Sequence, residues 1–333
     1  MLVTGAAGFI GAALCKKLLS EFNLRELIGI DNLNDYYSVK LKKSRLDELK
    51  DNKKFTYIWG NIADREYMET IFDEHRPQIV VNLAAQAGVR YSIEEPDAYI
   101  ESNIIGFYNV LECCRRTSVE HLIFASSSSV YGTNRKIPYS VDDKTDTPVS
   151  LYAATKKSNE LLAHAYSKLY DIPSTGLRFF TVYGPAGRPD MAYFSFTNKM
   201  INGQPIKIFN YGDCKRDFTY IDDIVEGITA VMQKAPDKNV DGVQFKVYNI
   251  GNSNPESLLD FVNILQQELI NAGVLPYDYD FASHRELVPM QPGDVETTYA
   301  DVTELYNDFG FKPSTPLRVG LRKFAEWYKE YYG

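Results

Sequence analysis

Histidine and cysteine are scarce: 333 residues hold 4 of each. Cys15, Cys113, Cys114 and Cys214 show no metal-ligand spacing, and the adjacent pair reads as core filling rather than a disulfide. His75, His121, His164 and His284 are equally scattered, so neither a metal site nor histidine-based acid–base chemistry is expected. No apolar run approaches membrane-spanning length, and no leader segment precedes the first glycines. A soluble, cytoplasmic protein without a membrane partner is the expectation. Positive charge is not in excess either: Lys+Arg 36 against Asp+Glu 44 leaves a net charge of -8, which argues against a nucleic-acid partner. Internal repeats and low-complexity linkers are lacking, and residues 235–241 form only a polar loop. What remains is a chain that is 44% hydrophobic and long enough for one large or two ordinary domains.

The first of its motifs is Thr4-Gly5-Ala-Ala-Gly8-Phe-Ile-Gly11, after a short apolar stub and at the start of a helical pattern over 9–22. Gly5 and Gly8 suit a tight turn with close backbone approach to a pyrophosphate, and Gly11 suits close packing of the helix on a sheet. Leu27-Ile-Gly-Ile-Asp31 reads as a second strand ending in an acid. Asp31 there would accept from a ribose 2′-OH and repel a 2′-phosphate, favouring NAD over NADP. The alternation continues: a helix over 39–51, a strand over 55–58, a helix over 65–74, and a buried strand over 79–85 that ends in Leu83-Ala84-Ala85. Asn61-Ile62 falls where an adenine-contacting pair belongs, although Ile62 fits a core position equally well. A helix over 99–116 follows. This alternation predicts an α/β fold, a parallel doubly wound sheet.

Residues 121–156 organise the rest. Leu122-Ile-Phe-Ala125 reads as a buried strand, and Ser126 to Ser129 emerge at its carboxyl end, where ligands bind in open α/β sheets. Tyr152 and Lys156, four apart in a helical pattern with Pro148 and Ser150 as start signals, share one face. The helix N-terminus and the lysine are both expected to favour phenolate over phenol. With Ser127 facing it, Tyr152 becomes a general acid/base without histidine. The plainer alternative is a core tyrosine and a solvated lysine; among 24 tyrosines the spacing alone decides little. The serine-tipped strand and the nucleotide loop tip the balance.

Four long segments in order, Asn82-Leu-Ala-Ala-Gln-Ala-Gly-Val-Arg-Tyr-Ser92, Ala125-Ser-Ser-Ser-Ser-Val-Tyr-Gly132, Ser150-Leu-Tyr-Ala-Ala-Thr-Lys-Lys-Ser158 and Leu177-Arg-Phe-Phe-Thr-Val-Tyr-Gly-Pro185, are far more specific than a glycine pattern. In these the chain resembles the extended short-chain dehydrogenases/reductases, specifically the NAD-dependent nucleotide-sugar epimerases, and most of all the UDP-glucuronate 4-epimerases. The resemblance covers essentially the whole length. It implies a Rossmann-type NAD-binding domain over 1–180 with a return segment near 218–250, and a smaller C-terminal α/β substrate-binding lobe over 181–333. It also implies a homodimer and a place in nucleotide-sugar metabolism that serves polysaccharide biosynthesis.

The resemblance further assigns Phe9, Ile10, Asn32, Asn61, Ile62 and 83–85 to NAD beside the glycines and Asp31. Gln86, Arg90, Ser128, Ser129, Thr181 and Arg188 fall to the UDP-sugar, with Arg216 along its diphosphate and Asp294 on the uridine ribose. A surface ion pair between Arg216 and Asp217 is the plainer reading. Asp222 and Asp223 are expected to cap a helix starting near Ile224. Thr181 stands where UDP-galactose 4-epimerases carry asparagine, and Gln291 where they carry arginine; both match the glucuronate branch. In the implied mechanism Tyr152 takes the 4-OH proton, Ser127 bonds the same oxygen, Lys156 depresses the phenol pKa and anchors the nicotinamide ribose, and the 4-keto sugar turns over before it is reduced. Related 4,6-dehydratases carry Asp-Glu before Val-Tyr-Gly, and the decarboxylases carry Glu beside that valine; here stand Ser128 and Ser129. Left open are UDP-glucose/galactose or N-acetyl substrates, decarboxylation, and a non-catalytic NAD sensor, a reading that the presence of Tyr152, Lys156 and Ser127 disfavours. The helix pair over 99–116 and 150–170 is expected to form the dimer face through Ile105, Leu111, Leu162 and Ala165.

Overall fold

The computed structural model describes residues 1–290 and 297–333. Strands β1 (Leu2–Thr4), β2 (Leu27–Asp31) and β3 (Phe55–Trp59) alternate with helices α1 (Phe9–Glu21), α2 (Val39–Asp47) and α3 (Arg65–His75). β1 and β2 are buried at every position, as strands covered on both faces must be. β4 is Ile79–Asn82 only. The expected continuation through Ala85 is loop, because the chain leaves the sheet once it reaches the ligand edge.

The expected single helix over 99–116 is broken in the structure. Two short helices, α4 (Tyr91–Glu94) and α5 (Pro96–Tyr99), lead into a π-helical turn at Ile100–Gly106 and then α6 (Phe107–Thr117). Within that wider turn Asn103 is buried: its amide accepts from Gln86 N at 2.8 Å and donates to Gln86 O and to Thr155 Oγ at 3.0 Å each. A π-turn at a functional site is a known use of that geometry.

β5 (His121–Ser127) is the central strand, α7 (Leu151–Tyr170) the long helix after it, and β6 (Ser174–Phe179) its neighbour. Ser150 caps α7, accepting from Ala153 N at 3.0 Å. β7 (Thr181–Tyr183), α8 (Ala192–Ile201), β8 (Ile206–Ile208), β9 (Lys215–Tyr220), α9 (Ile221–Met232) and β10 (Phe245–Ile250) follow. The chain closes with β11 (Pro255–Ser257), α10 (Leu258–Asn271), β12 (Arg285–Leu287), β13 (Thr297–Thr298), α11 (Thr303–Phe309) and α12 (Leu317–Tyr332).

Seven strands in the order β10-β6-β5-β4-β1-β2-β3, all paired in parallel, make the main sheet. Strand order reverses between β1 and β4, and a crevice opens there at the carboxyl ends. Thr4, the last residue of β1, donates its hydroxyl to Asn82 Oδ1 at the end of β4, 2.7 Å away. β10 pairs with β6 register for register, Phe245↔Ser174 through Ile250↔Phe179. β9 instead pairs with β7, β11 and β13 in a smaller sheet. Helix α9 begins at Ile221, so Asp222 and Asp223 sit in its first turn rather than capping it. Asp223 accepts from Thr315 N, while Asp222 faces Lys323 at the surface.

Candidate active site

The loop from Gly5 to Gly8 is built by exclusion. Gly5 has φ +71°, and a Cβ there would lie 2.8 Å from Ala84 N. A Cβ on Gly11 would lie 2.0 Å from the Gly5 carbonyl, so Gly11 serves the loop itself rather than helix–sheet packing, as its sequence position had implied. Helix α1 starts directly behind, at Gly8, with no side chain capping its N–H groups. That is the arrangement in which backbone dipoles bind an anion. Asp31 closes the loop from the other side: one carboxylate oxygen accepts from Ala7 N at 3.0 Å and the other from Leu33 N at 2.8 Å.

The serines form the opposite wall. Ser127 Oγ donates to Ser129 Oγ at 3.1 Å and accepts from Ser129 N, which turns the chain into a short 3-10 segment over Ser128–Tyr131. Tyr152, in the first turn of α7, shares a hydrogen bond with Ser127, with the Tyr99 ring edge-on at 6.1 Å. Burial raises the phenol pKa, opposite to the direction the sequence implied; the Ser127 bond and the Arg188 charge push it down but do not prevail. Lys156 is buried and donates to the Ala125 carbonyl at 2.8 Å, and burial lowers its pKa to about 8. The Arg188 cation thus acts on the phenol beside Ser127. Desolvation outweighs both helping groups because a dry site penalises any charge.

A cavity of about 430 Å3 joins the two walls. It is lined by Gly5, Gly8, Phe9, Ile10, Gly11, Asp31, Asn32, Asn61, Ile62, Leu83 to Gln86, Ser127 to Ser129, Tyr152, Lys156, Thr181 and Arg188. Arg90 and Arg216 do not line it. The Arg90 guanidinium lies 5.9 Å from the Phe209 ring, and Arg216 donates to the Lys215 carbonyl. Asp217 turns inward, accepting from the backbone N–H groups of Asn252, Ser253 and Ala300, so it is not the surface partner of Arg216 that the plainer reading supposed. Asp294 and Gln291 lie outside the described residues.

Sequence reasoning missed Tyr36, Tyr37 and Lys42, which line the same cavity. Their signal was faint: paired tyrosines in a polar loop just after an acid-ended strand. Tyr36 OH donates to Asp190 Oδ2 at 3.2 Å, and Asp190 grips Arg188 through Nε at 3.1 Å and Nη2 at 2.5 Å. Two of the three Arg188 nitrogens thus already face a carboxylate. Rings continue from Tyr36 to Tyr91 (4.6 Å) and Tyr99 (6.3 Å), reaching Tyr152.

This donor set suits a dinucleotide: a glycine cradle with no room for side chains, an uncapped helix start for a diphosphate, and an acid at the next strand end for a ribose. It also brings a hydroxyl pair and a tyrosine to the place where a carbinol would react.

Residues 1–251 match the model of the NAD dependent epimerase/dehydratase family. The chain is 49% identical to Protein CapI of Staphylococcus aureus, an alignment covering 100% of this chain and 99% of that one. It is 44% identical to UDP-glucuronate 4-epimerase 4 of Arabidopsis thaliana over 100% of this chain and 76% of that protein. The crystal structure of UDP-glucuronic acid 4-epimerase from Bacillus cereus, in complex with UDP-glucuronic acid and NAD, aligns with a TM-score of 0.86 at 32% identity, covering 99% of both chains.

Proposed function

The chain belongs to the NAD-dependent epimerase/dehydratase family, and from that membership we propose that it interconverts UDP-glucuronate and UDP-galacturonate at C4 through a transient 4-keto sugar. When bound, NAD supplies the oxidation of C4 and its re-reduction. The glycine loop and the start of α1 hold its diphosphate, Asp31 and Asn32 the adenosine ribose, Asn61 and Ile62 the adenine, and Lys156 the nicotinamide ribose.

Tyr152 takes the proton of the sugar 4-OH and returns it, while Ser127 holds the same oxygen. Ser127 and Arg188 are the groups whose influence on the phenol runs downward, so they favour the phenolate that does this work. Residues 1–180 with α9 and β10 carry the cofactor, and the remainder carries the UDP-sugar.

A 4-keto glucuronate is a β-keto acid and loses carbon dioxide readily. The enzyme must hold its carboxylate so that the breaking bond stays out of line with the carbonyl π system. Ser128, Ser129 and Thr181 offer hydroxyls for this, and Arg188 a cation. The observation that carries the reading is that all four line one cavity with Tyr152, while neutral serines occupy the positions where dehydratases and decarboxylases carry acids. Incubation with UDP-glucuronate, followed by proton NMR, tests it. A mixture with UDP-galacturonate and no UDP-pentose is expected. Release of carbon dioxide would make the enzyme a decarboxylase, and turnover of UDP-glucose alone would keep the mechanism and replace the substrate.

The same reading makes it a cytoplasmic homodimer that supplies polysaccharide biosynthesis. Support for the dimer lies on the outer face of the π-turn and α7, where Ile105, Leu161 and Leu169 are 46%, 60% and 68% exposed, with Ala165 beside them. Leu111 instead packs into the core beneath, and Leu162 is partly buried against it. An isologous four-helix contact would cover this surface; a monomeric mass by light scattering at micromolar concentration would refute it.

A further inference from the structure

Arg45, on α2, is 4% exposed and pairs with no carboxylate among the described residues. A buried guanidinium without a counter-charge is costly unless its donors are satisfied. Here they are met by neutral oxygens from three separate segments. Nη1 donates to the Ala7 carbonyl in the glycine loop at 2.9 Å and to Tyr37 OH at 2.7 Å. Nε and Nη2 reach across to the carbonyls of Ala186 and Gly187, at 2.9 and 3.0 Å. Arg188 is the next residue.

Both ends of this bridge are stiff. Ala7 is fixed on its N–H side by Asp31. Ala186 holds φ +52°, and a Cβ on Gly187 would lie 1.6 Å from Tyr193 OH. A shift of the glycine loop has little slack in which to be absorbed before it reaches the residue in front of Arg188.

We propose that Arg45 is a positioning residue that couples the dinucleotide loop to the segment carrying Arg188, so that each ligand tightens the hold on the other. This rests on the reading that the two sides take NAD and a UDP-sugar, and it adds a linkage between them. Such coupling is reciprocal and typically amounts to about fivefold or more.

The test follows exchange of bound NAD for labelled NAD in the holoenzyme, with and without a saturating UDP-sugar. The sugar used is whichever one the unsubstituted enzyme turns over, so an error in substrate identity shows there and leaves the coupling measurable. UDP-sugar should slow exchange about fivefold or more in the unsubstituted enzyme, but less than about twofold in Arg45→Lys, whose single ammonium cannot span both loops. Tyr37→Phe, which removes one of the four bonds and leaves the guanidinium in place, should fall between and serves if Arg45→Lys does not fold. Equal slowing in the unsubstituted enzyme and the folded variants, or no slowing in the unsubstituted enzyme, would overturn the proposal.

Discussion

Lys156 donates a hydrogen bond to the Ala125 carbonyl at 2.8 Å, at the point where β5 runs out into the serines. The residue that reads in sequence as the partner of Tyr152 is thus tied to the strand, while Tyr152 shares a hydrogen bond with Ser127. The site is organised as two linked pairs rather than one tyrosine–lysine couple.

Tyr152→Phe removes the hydroxyl placed to take the 4-OH proton. Turnover should fall about a hundredfold to ten-thousandfold, with NAD still bound. Product formation by NMR and cofactor content of the purified protein check both halves, and near-normal turnover would point to another base. Lys156→Met should lose a similar amount of turnover and also hold NAD less tightly.

Arg188→Ala should hurt UDP-glucuronate turnover more than UDP-glucose binding. Because Arg188 pushes the Tyr152 pKa down, its removal should raise that pKa further and move the acidic limb of the kcat profile to higher pH. Equal losses on the two sugars, with an unmoved limb, would contradict its place beside the reacting centre.

His121 links stability to pH. It is 2% exposed, shares a hydrogen bond with Thr175 Oγ at 2.8 Å, and has its pKa lowered by burial from 6.5 to about 4. The unfolded chain therefore binds a proton below pH 6.5 that the folded protein refuses until about pH 4. The group contributes nothing above pH 6.5, and stability is lost as pH falls through that window, by up to about 3 kcal/mol. His121→Gln should flatten the fall in thermal midpoint between pH 7 and pH 4.5; an identical slope would remove the assignment.

Glu160 and Arg178 form a buried pair at 2.8 and 2.9 Å, with Ser126 Oγ donating to the same carboxylate at 2.7 Å. Arg178→Met leaves that buried carboxylate only Lys157, 3.2 Å away at the rim, as a cation and should cost about 3–5 kcal/mol in denaturant unfolding. Since Ser126 adjoins Ser127, turnover should fall as well. A loss under about 1 kcal/mol would mean that the cavity rehydrates Glu160 cheaply.

Much of this was legible in the chain because spacing carries it. Gly5, Gly8 and Asp31 announce a turn, a helix start and a strand end, while Tyr152 and Lys156 share a helix face whatever surrounds them. The misses have one physical origin. Arg45 meets Ala186 and Gly187 only through the tertiary fold, and Tyr36 finds Asp190 in the same way. The rise of the Tyr152 pKa depends on how dry the site is, which no motif spells out. The π-turn at Ile100–Gly106 stayed hidden because its side chains obey a helical pattern on either side of Asn103.

Synthesis of this chain meets a constraint set by β10. When Phe179 has left the ribosome, six of the seven strands of the main sheet exist, and β6 is still an open edge. Its partner, Phe245–Ile250, arrives only after β7, β8 and β9 have been made. An uncovered parallel edge is a site for wrong pairing, so the nascent protein carries one until residues 181–244 have emerged. A gene cut after residue 180 should therefore yield an aggregation-prone fragment, not a portable cofactor-binding module.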